Sequence, residues 1–131
     1  MKILEILSEQ TAGKDPAKEE IIKDFIAYAS KKLHIKIPMT IEFSYDTQKA
    51  QQEKHTGAYD WHKNRMWVYS AHRNLVDILR TVCHELMHAK QDQEGRIKRH
   101  SPPGSKLERE ADEAAGYLIK LYGKQHPEVF Q

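Results

Sequence analysis

His84, Glu85 and His88 stand in the order His-Glu-Leu-Met-His, within a run of residues 74–93 that reads as one helix. Residues four apart come round to nearly the same helix face, about 40° apart after one turn, so both imidazoles can converge on one ion. Glu85, next to the first histidine, then points beside such an ion rather than at it. There its carboxylate can take a proton from a metal-bound water. The pattern holds only three positions constant. With 8 histidines and twelve glutamates in 131 residues, chance alone yields about 0.04 occurrences, so a second feature must support it.

That feature is separated from His88 by nineteen residues, 89–107, after which Glu108-Arg109-Glu110-Ala111-Asp112 opens a second helical segment. A zinc site with two histidines needs a third protein ligand and leaves a fourth position open. Glu108 can be that ligand. Asp112, one turn further on, can accept the remaining ring N–H of a ligating histidine and so select its tautomer. Glu110 and Glu113 are rivals on spacing alone, but neither is followed four positions later by an acid or amide. Ser105-x-x-Glu108 also reads as a capping box, in which Glu108 satisfies the backbone at its own helix start. A serine cap and a ligand role for Glu108 are compatible.

The two-part pattern, His84-Glu85-x-x-His88 followed by Glu108-x-x-Ala111-Asp112, resembles the gluzincin group of zinc metallopeptidases over residues 40–122. In that group a glutamate from a second helix completes the site, and an aspartate four residues on steadies the first histidine. The resemblance implies His84, His88 and Glu108 as zinc ligands, Glu85 as general base, and Asp112 as the outer partner of a ligating histidine. It implies a zincin-like α+β fold with a small mixed sheet, and an edge strand that lies along the cleft and pairs with an extended substrate. By that analogy residues 56–61 form the upper rim, and backbone pairing tolerates varied substrate sequence. The implied activity is that of a zinc-dependent metalloendopeptidase acting on a peptide or protein. Relatives stabilise the oxyanion with a tyrosine or histidine beyond the motif. Tyr59, His62, His100, Tyr117 and Tyr122 are all eligible by type.

Composition narrows the remaining classes. A chain of 131 residues has room for one core, and the expectation is a single domain over residues 1–131. The net charge of +2 is too slight to argue for nucleic acid or an anionic membrane. One cysteine rules out an intramolecular disulfide framework and a cysteine-rich zinc ribbon, and suits a reducing compartment. No apolar run is long enough to span a bilayer, and residues 1–7 are too weak for a signal peptide, so a cytoplasmic address is expected. Cys83 flanks the motif on an apolar stripe with Leu79, Val82 and Leu86, which predicts a packed core thiol.

The elements that must position these groups follow from periodicity. Residues 1–7 fit a strand or a helix start equally. Asp15-Pro16 caps a helix whose Ile21, Ile22, Phe25, Ile26, Ala29 and Leu33 form one face. Residues 40–45 alternate as a half-buried strand, and 46–54 read as a polar loop. Residues 56–61 and 65–70 flank His62-Lys63-Asn64 as a hairpin. Asn74 caps the active helix, with Leu75, Ile78, Leu79, Val82, Leu86 and Met87 inward, and Gly95 ends it. The last helix buries Leu107, Ala111, Ala114, Ala115, Leu118 and Tyr122, and its alanines allow close approach to the active helix. Such an order predicts an α+β layer with helices on one face of the sheet.

Several features read as structure rather than chemistry. Trp61, Trp67 and Tyr69 are strand aromatics, and Arg96, Lys98, Arg99 and His100 form a solvated basic loop. His34, His55, His72 and His126 show no paired spacing and read as surface. Two other functions compete with a peptidase. One is a zincin-like regulatory protein, resembling phage- or plasmid-type and SprT-like minimal domains that act on one protein partner. The other is a binding module that keeps its metal for structure, against which the intact Glu85 argues, because a structural site has no use for a base there.

Overall fold

Ile41 and Phe43 alternate with Thr40, Glu42 and Ser44, and an extended strand sends the two sets to opposite faces. The computed structural model, which describes residues 4–8, 16–53, 55–97 and 105–130, holds that strand as β2 (Met39–Ser44). It lies between β1 (Leu4–Ser8) and β4 (Arg65–Tyr69) and runs parallel to both. At the edge beyond β4, β3 (Gly57–Asp60) pairs antiparallel, so the order is β1-β2-β4-β3. The undecided start of the chain is therefore a strand. Its conformation is selected by the parallel partner that β2 offers.

One face of this sheet carries the core. Ile41 sits opposite Met66 and Phe43 opposite Val68, and all four are fully buried. The other face holds the Glu42–Arg65 ion pair at 2.8 Å and Trp67, which is buried and so offers no stacking platform. Helices α1 (Pro16–Lys32) and α3 (Leu75–Gln93) share the core on that side, and α4 (Lys106–Gln125) packs against both of them. In α1 the buried Ile22, Phe25, Ile26 and Ala29 recur at i, i+3, i+4 and i+7, the spacing of a single helix face. This is the α+β arrangement expected, a small mixed sheet with helices packed on one side.

The polar loop expected at residues 46–54 is instead largely a helix, α2 (Thr47–Glu53). Its sequence has no apolar face for periodicity to detect. It is nonetheless built of glutamines, an alanine, a lysine and a glutamate, which favour a helix without tertiary help. Asp15, Lys98, Arg99, His100 and the Pro102–Pro103 pair lie outside the described residues.

The active helix is held at both ends. Asn74 occupies its N-cap with an extended backbone but makes no side-chain cap bond. At the other end Gly95 adopts φ +72°, its N–H meets the Asp92 carbonyl at 2.9 Å, and the Arg96 N–H meets the Gln91 carbonyl at 2.8 Å. These two bonds form a Schellman stop, and the left-handed residue it requires is cheapest as glycine. Lys90 and Gln93 donate to the Leu33 and His34 carbonyls at 3.0 and 2.9 Å, tying α3 to the turn that ends α1.

Inside the core, Cys83 is fully buried, and burial pushes its thiol pKa up to about 12. It is a packing residue, as its stripe predicts. Tyr122 is buried against Phe25 with an edge-on ring at 5.1 Å, and its hydroxyl donates to Asp24 at 2.6 Å. Burial, then the Asp24 carboxylate, raises the phenol pKa above its ordinary value of 10. A raised folded-state pKa gives stability that is present below about pH 10 and lost as pH rises above it. Tyr122→Phe should therefore flatten the alkaline fall in thermal stability and cost about 1 kcal/mol at neutral pH. Melting curves from pH 7 to 11 for both chains would measure it.

Candidate metal centre

The antiparallel packing of α3 on α4 brings the two halves of the sequence pattern together. His84 Nδ1 lies 2.8 Å from Asp112 Oδ1. His88 Nδ1 lies 2.8 Å from Gln91 Oε1, one turn along its own helix. The Gln91 amide, itself fully buried, is oriented by donating from Nε2 to the Leu107 carbonyl at 2.9 Å and to Glu110 at 3.4 Å. Both ring partners are thus acceptor oxygens, and each Nδ1 carries the proton. Each Nε2 then presents a lone pair.

Those lone pairs face one another. His84 Nε2 and His88 Nε2 are 3.1 Å apart, with their rings nearly perpendicular. The Glu108 carboxylate closes the group at 3.0 Å from His84 Nε2 and 3.2 Å from His88 Nε2. Electron-rich atoms so close repel unless a cation joins them. Zinc bonds of about 2.0–2.1 Å in tetrahedral array put neighbouring ligand atoms roughly 3.3 Å apart, so the triad fits one such ion with a small outward adjustment. His84, His88 and Glu108 form the one group among the described residues able to hold a metal in this way.

Glu108 reaches the triad from the first turn of α4. Ser105 caps that helix, its hydroxyl accepting the Glu108 N–H at 3.4 Å. Only the serine half of the capping box is used in that way, and the glutamate side chain faces the histidines. The rival Glu110 is engaged by Arg96 at 2.6 Å, which holds its carboxyl below the usual carboxylate range. Glu113 is exposed and stands outside the triad.

Glu85 points the other way, into the space between α3 and β3. It is 8% exposed, and burial pushes its carboxyl pKa up, against the opposing pull of His88, His84 and His55. An open cleft of about 440 Å³ lies here, lined by His55, Gly57, Thr81, His84, Glu85 and Asp112. The edge strand lies along the active helix, as the resemblance implies. Tyr59 donates to Asp92 at 2.6 Å, Asn64 reaches the same carboxylate at 3.3 Å, and the Thr56 and Thr81 hydroxyls are 3.4 Å apart. Gly57 makes this contact possible. A Cβ there would stand 2.5 Å from Thr81 Cγ2 and 3.2 Å from the Trp67 carbonyl oxygen.

The eligible oxyanion donors fare differently. Tyr59 is bound to Asp92, Tyr122 to Asp24, His62 is exposed with its ring tilted against Trp61 at 4.0 Å, and Tyr117 is 63% exposed on α4. None of these four lines the cleft, whereas His55 does. Sequence reading places His55 on the surface, and it is exposed, but on the surface of the cleft. Gln91 was the other omission. Its signal was available as His88-x-x-Gln91, an i, i+3 pair on one helix face.

No family model matches this chain, and no curated protein matches it. Two solved structures are similar in fold. A crystal structure of Wss1 from Saccharomyces cerevisiae superposes with a TM-score of 0.58 at 17% identity, covering 92% of this chain and 94% of that chain. A Wss1 mutant gives the same TM-score at 18% identity, with 92% and 95% covered. The likeness is one of fold and spans nearly the whole of both chains.

The geometry sets three expectations. Metal analysis after zinc loading should find about one ion per chain, falling sharply in His84→Ala, His88→Ala and Glu108→Ala but not in Glu113→Ala. Asp112→Ala and Gln91→Ala should weaken metal affinity by about 10–100-fold, since each orients a histidine without touching the ion. Gly57→Ala should force β3 off α3 and destabilise the chain by about 1–3 kcal/mol, read from denaturant unfolding.

Proposed function

We propose that this chain is a zinc-dependent metalloendopeptidase, with His84, His88 and Glu108 as metal ligands and Glu85 as general base. The observation that carries this reading is the pairing of a three-ligand group with a separate buried carboxylate. The two meet at one cleft, which His84 of the group and Glu85 both line. A structural zinc site is closed by four protein ligands and has no use for Glu85. Bound at the triad, zinc would supply Lewis-acid polarisation of a carbonyl and acidify a water.

The chain's own groups account for the rest. Asp112 and Gln91 hold the Nδ1 protons of His84 and His88, which keeps both Nε2 atoms free to ligate. Glu85 accepts a proton at its carboxylate and delivers it to the leaving amine, and its raised pKa suits both halves of that task. Hydrogen-bonding groups on the outer side of β3, at the edge of the sheet, can pair with an extended polypeptide. Ala58 and Asp60 project outward on that strand, leaving its partner's side chains unconstrained there. The substrate is thus a polypeptide held in extended form and recognised largely through its backbone.

Glu85→Gln tests this most directly. The amide keeps the size of the side chain but cannot accept the proton. The variant should fold and take up zinc like the parent while losing cleavage of a mixed peptide library, and a chelator should abolish the parent's cleavage in the same assay. Unchanged biological activity in zinc-loaded Glu85→Gln would overturn the reading in favour of a metal-stabilised binding module.

A further inference from the structure

A second groove of about 350 Å³ continues the cleft along α4, and Arg80 lines both. The antiparallel register of the helices explains the continuity. His84 meets Asp112, so one turn back along α3 Arg80 comes level with Gly116, one turn forward along α4. The floor of the groove is Gly116, Ile119 and Gly123, and Phe130 from the 3₁₀ turn Pro127–Phe130 walls it. A Cβ at Gly116 would meet nothing within 4 Å, whereas one at Gly123 would strike the Phe130 ring. The trough is therefore open at Gly116 and closed by Phe130 at its far end. Phe130, 58% exposed, leaves much of its ring to solvent.

The rim of this groove is cationic. Arg80, Lys120 and Lys124 line it, and among the described residues no acidic one does. Arg80 is held toward Asp77 at 3.2 Å in an exposed i, i+3 pair, of the kind that exchanges partners at little cost. An apolar floor between cations complements an apolar side chain flanked by carboxylates.

We propose that this groove is a specificity subsite for the polypeptide bound at the metal cleft, accepting an apolar side chain flanked by acidic residues. The proposal rests on the peptidase reading above and names its substrate class. Arg80 stands four residues from His84, about 6 Å of helix rise, which is about two residues of extended chain. An acidic side chain about two residues from the scissile bond meets Arg80, the apolar one beyond it enters the trough at Gly116, and a further acid meets Lys120 or Lys124. The basic rim selects against lysine and arginine at those positions through like-charge repulsion.

The test uses the full zinc-loaded chain and two fluorescent decapeptides that share one leucine. One carries glutamates on either side of it, and the other carries lysines in their place. Fluorescence anisotropy with Glu85→Gln, which cannot turn the peptides over, should show the acidic peptide binding about tenfold tighter, with the gap narrowing as salt rises. Arg80→Gln should narrow it several-fold. A Cβ at Gly116 meets nothing within 4 Å, so Gly116→Leu, which puts a bulky side chain into the trough, should retain metal content and melting temperature yet lose about tenfold in affinity for the acidic peptide. Equal binding of the two peptides, or undiminished binding by a folded Gly116→Leu, overturns the subsite. A dimer in sedimentation that Gly116→Leu dissociates also overturns it, assigning the groove to a second copy of the chain. Cleavage of both peptides by the parent separates the two readings. Binding with the stated preference but no cleavage removes the peptidase and leaves the groove, while cleavage of both at one rate removes the groove and leaves the peptidase.

Discussion

The arrangement turns on two imidazole lone pairs held 3.1 Å apart with a carboxylate against them. Left alone, these groups repel, and helices free to move would separate them. The surrounding structure prevents this by making the neighbouring bonds strong and directional. Asp112 and Gln91 each take an N–H from the far side of a ring, which pins tautomer and orientation together. Gln91 is in turn pinned by the Leu107 carbonyl, so the loop end of α4 is tied to the same histidine that faces its Glu108. Ala111 and Ala115, both buried on α4, keep the α3–α4 interface thin enough for those short bonds to close.

The same helix has a second task on its opposite flank, and glycine makes it possible there too. With no Cβ at Gly57, β3 passes directly over Thr81 and Glu85. The strand roofs the Glu85 carboxylate and removes it from water, which is the main reason its pKa rises. Arg73 reinforces the roof from below, donating to the Tyr69 carbonyl at 2.8 Å and to the Thr81 hydroxyl at 2.9 Å. Base and ligands thus sit on adjacent residues of one helix but in different surroundings. The histidines face α4 and its acids, and the glutamate faces the sheet edge.

Wherever an element announced itself by burial, the sequence was sufficient. The apolar stripes of α1, α3 and α4, the alternation of β2 and the hairpin pairing β3 with β4 all appear where periodicity puts them, because each must turn one face to the same core. α2 escaped notice because it buries no stripe, and β1 stayed undecided because five residues cannot distinguish strand from helix without a partner.

Helical spacing alone determined that His84 and His88 share a face, that Glu85 does not, and that Asp112 follows Glu108 by one turn. These are local quantities, set by 3.6 residues per turn. Which carboxylate of α4 meets the histidines was decided only when the helices packed. Glu110 lies two residues from Glu108, a rotation of about 200° on the helix, and on that side Arg96 was waiting for it. The place of His55 in the cleft, the commitment of Tyr59 and Tyr122 to aspartates elsewhere, and the meeting of Arg80 with Gly116 are likewise contacts across 25 to 98 residues. No period in the chain encodes them, because they depend on the packing distance between elements rather than on the geometry within one.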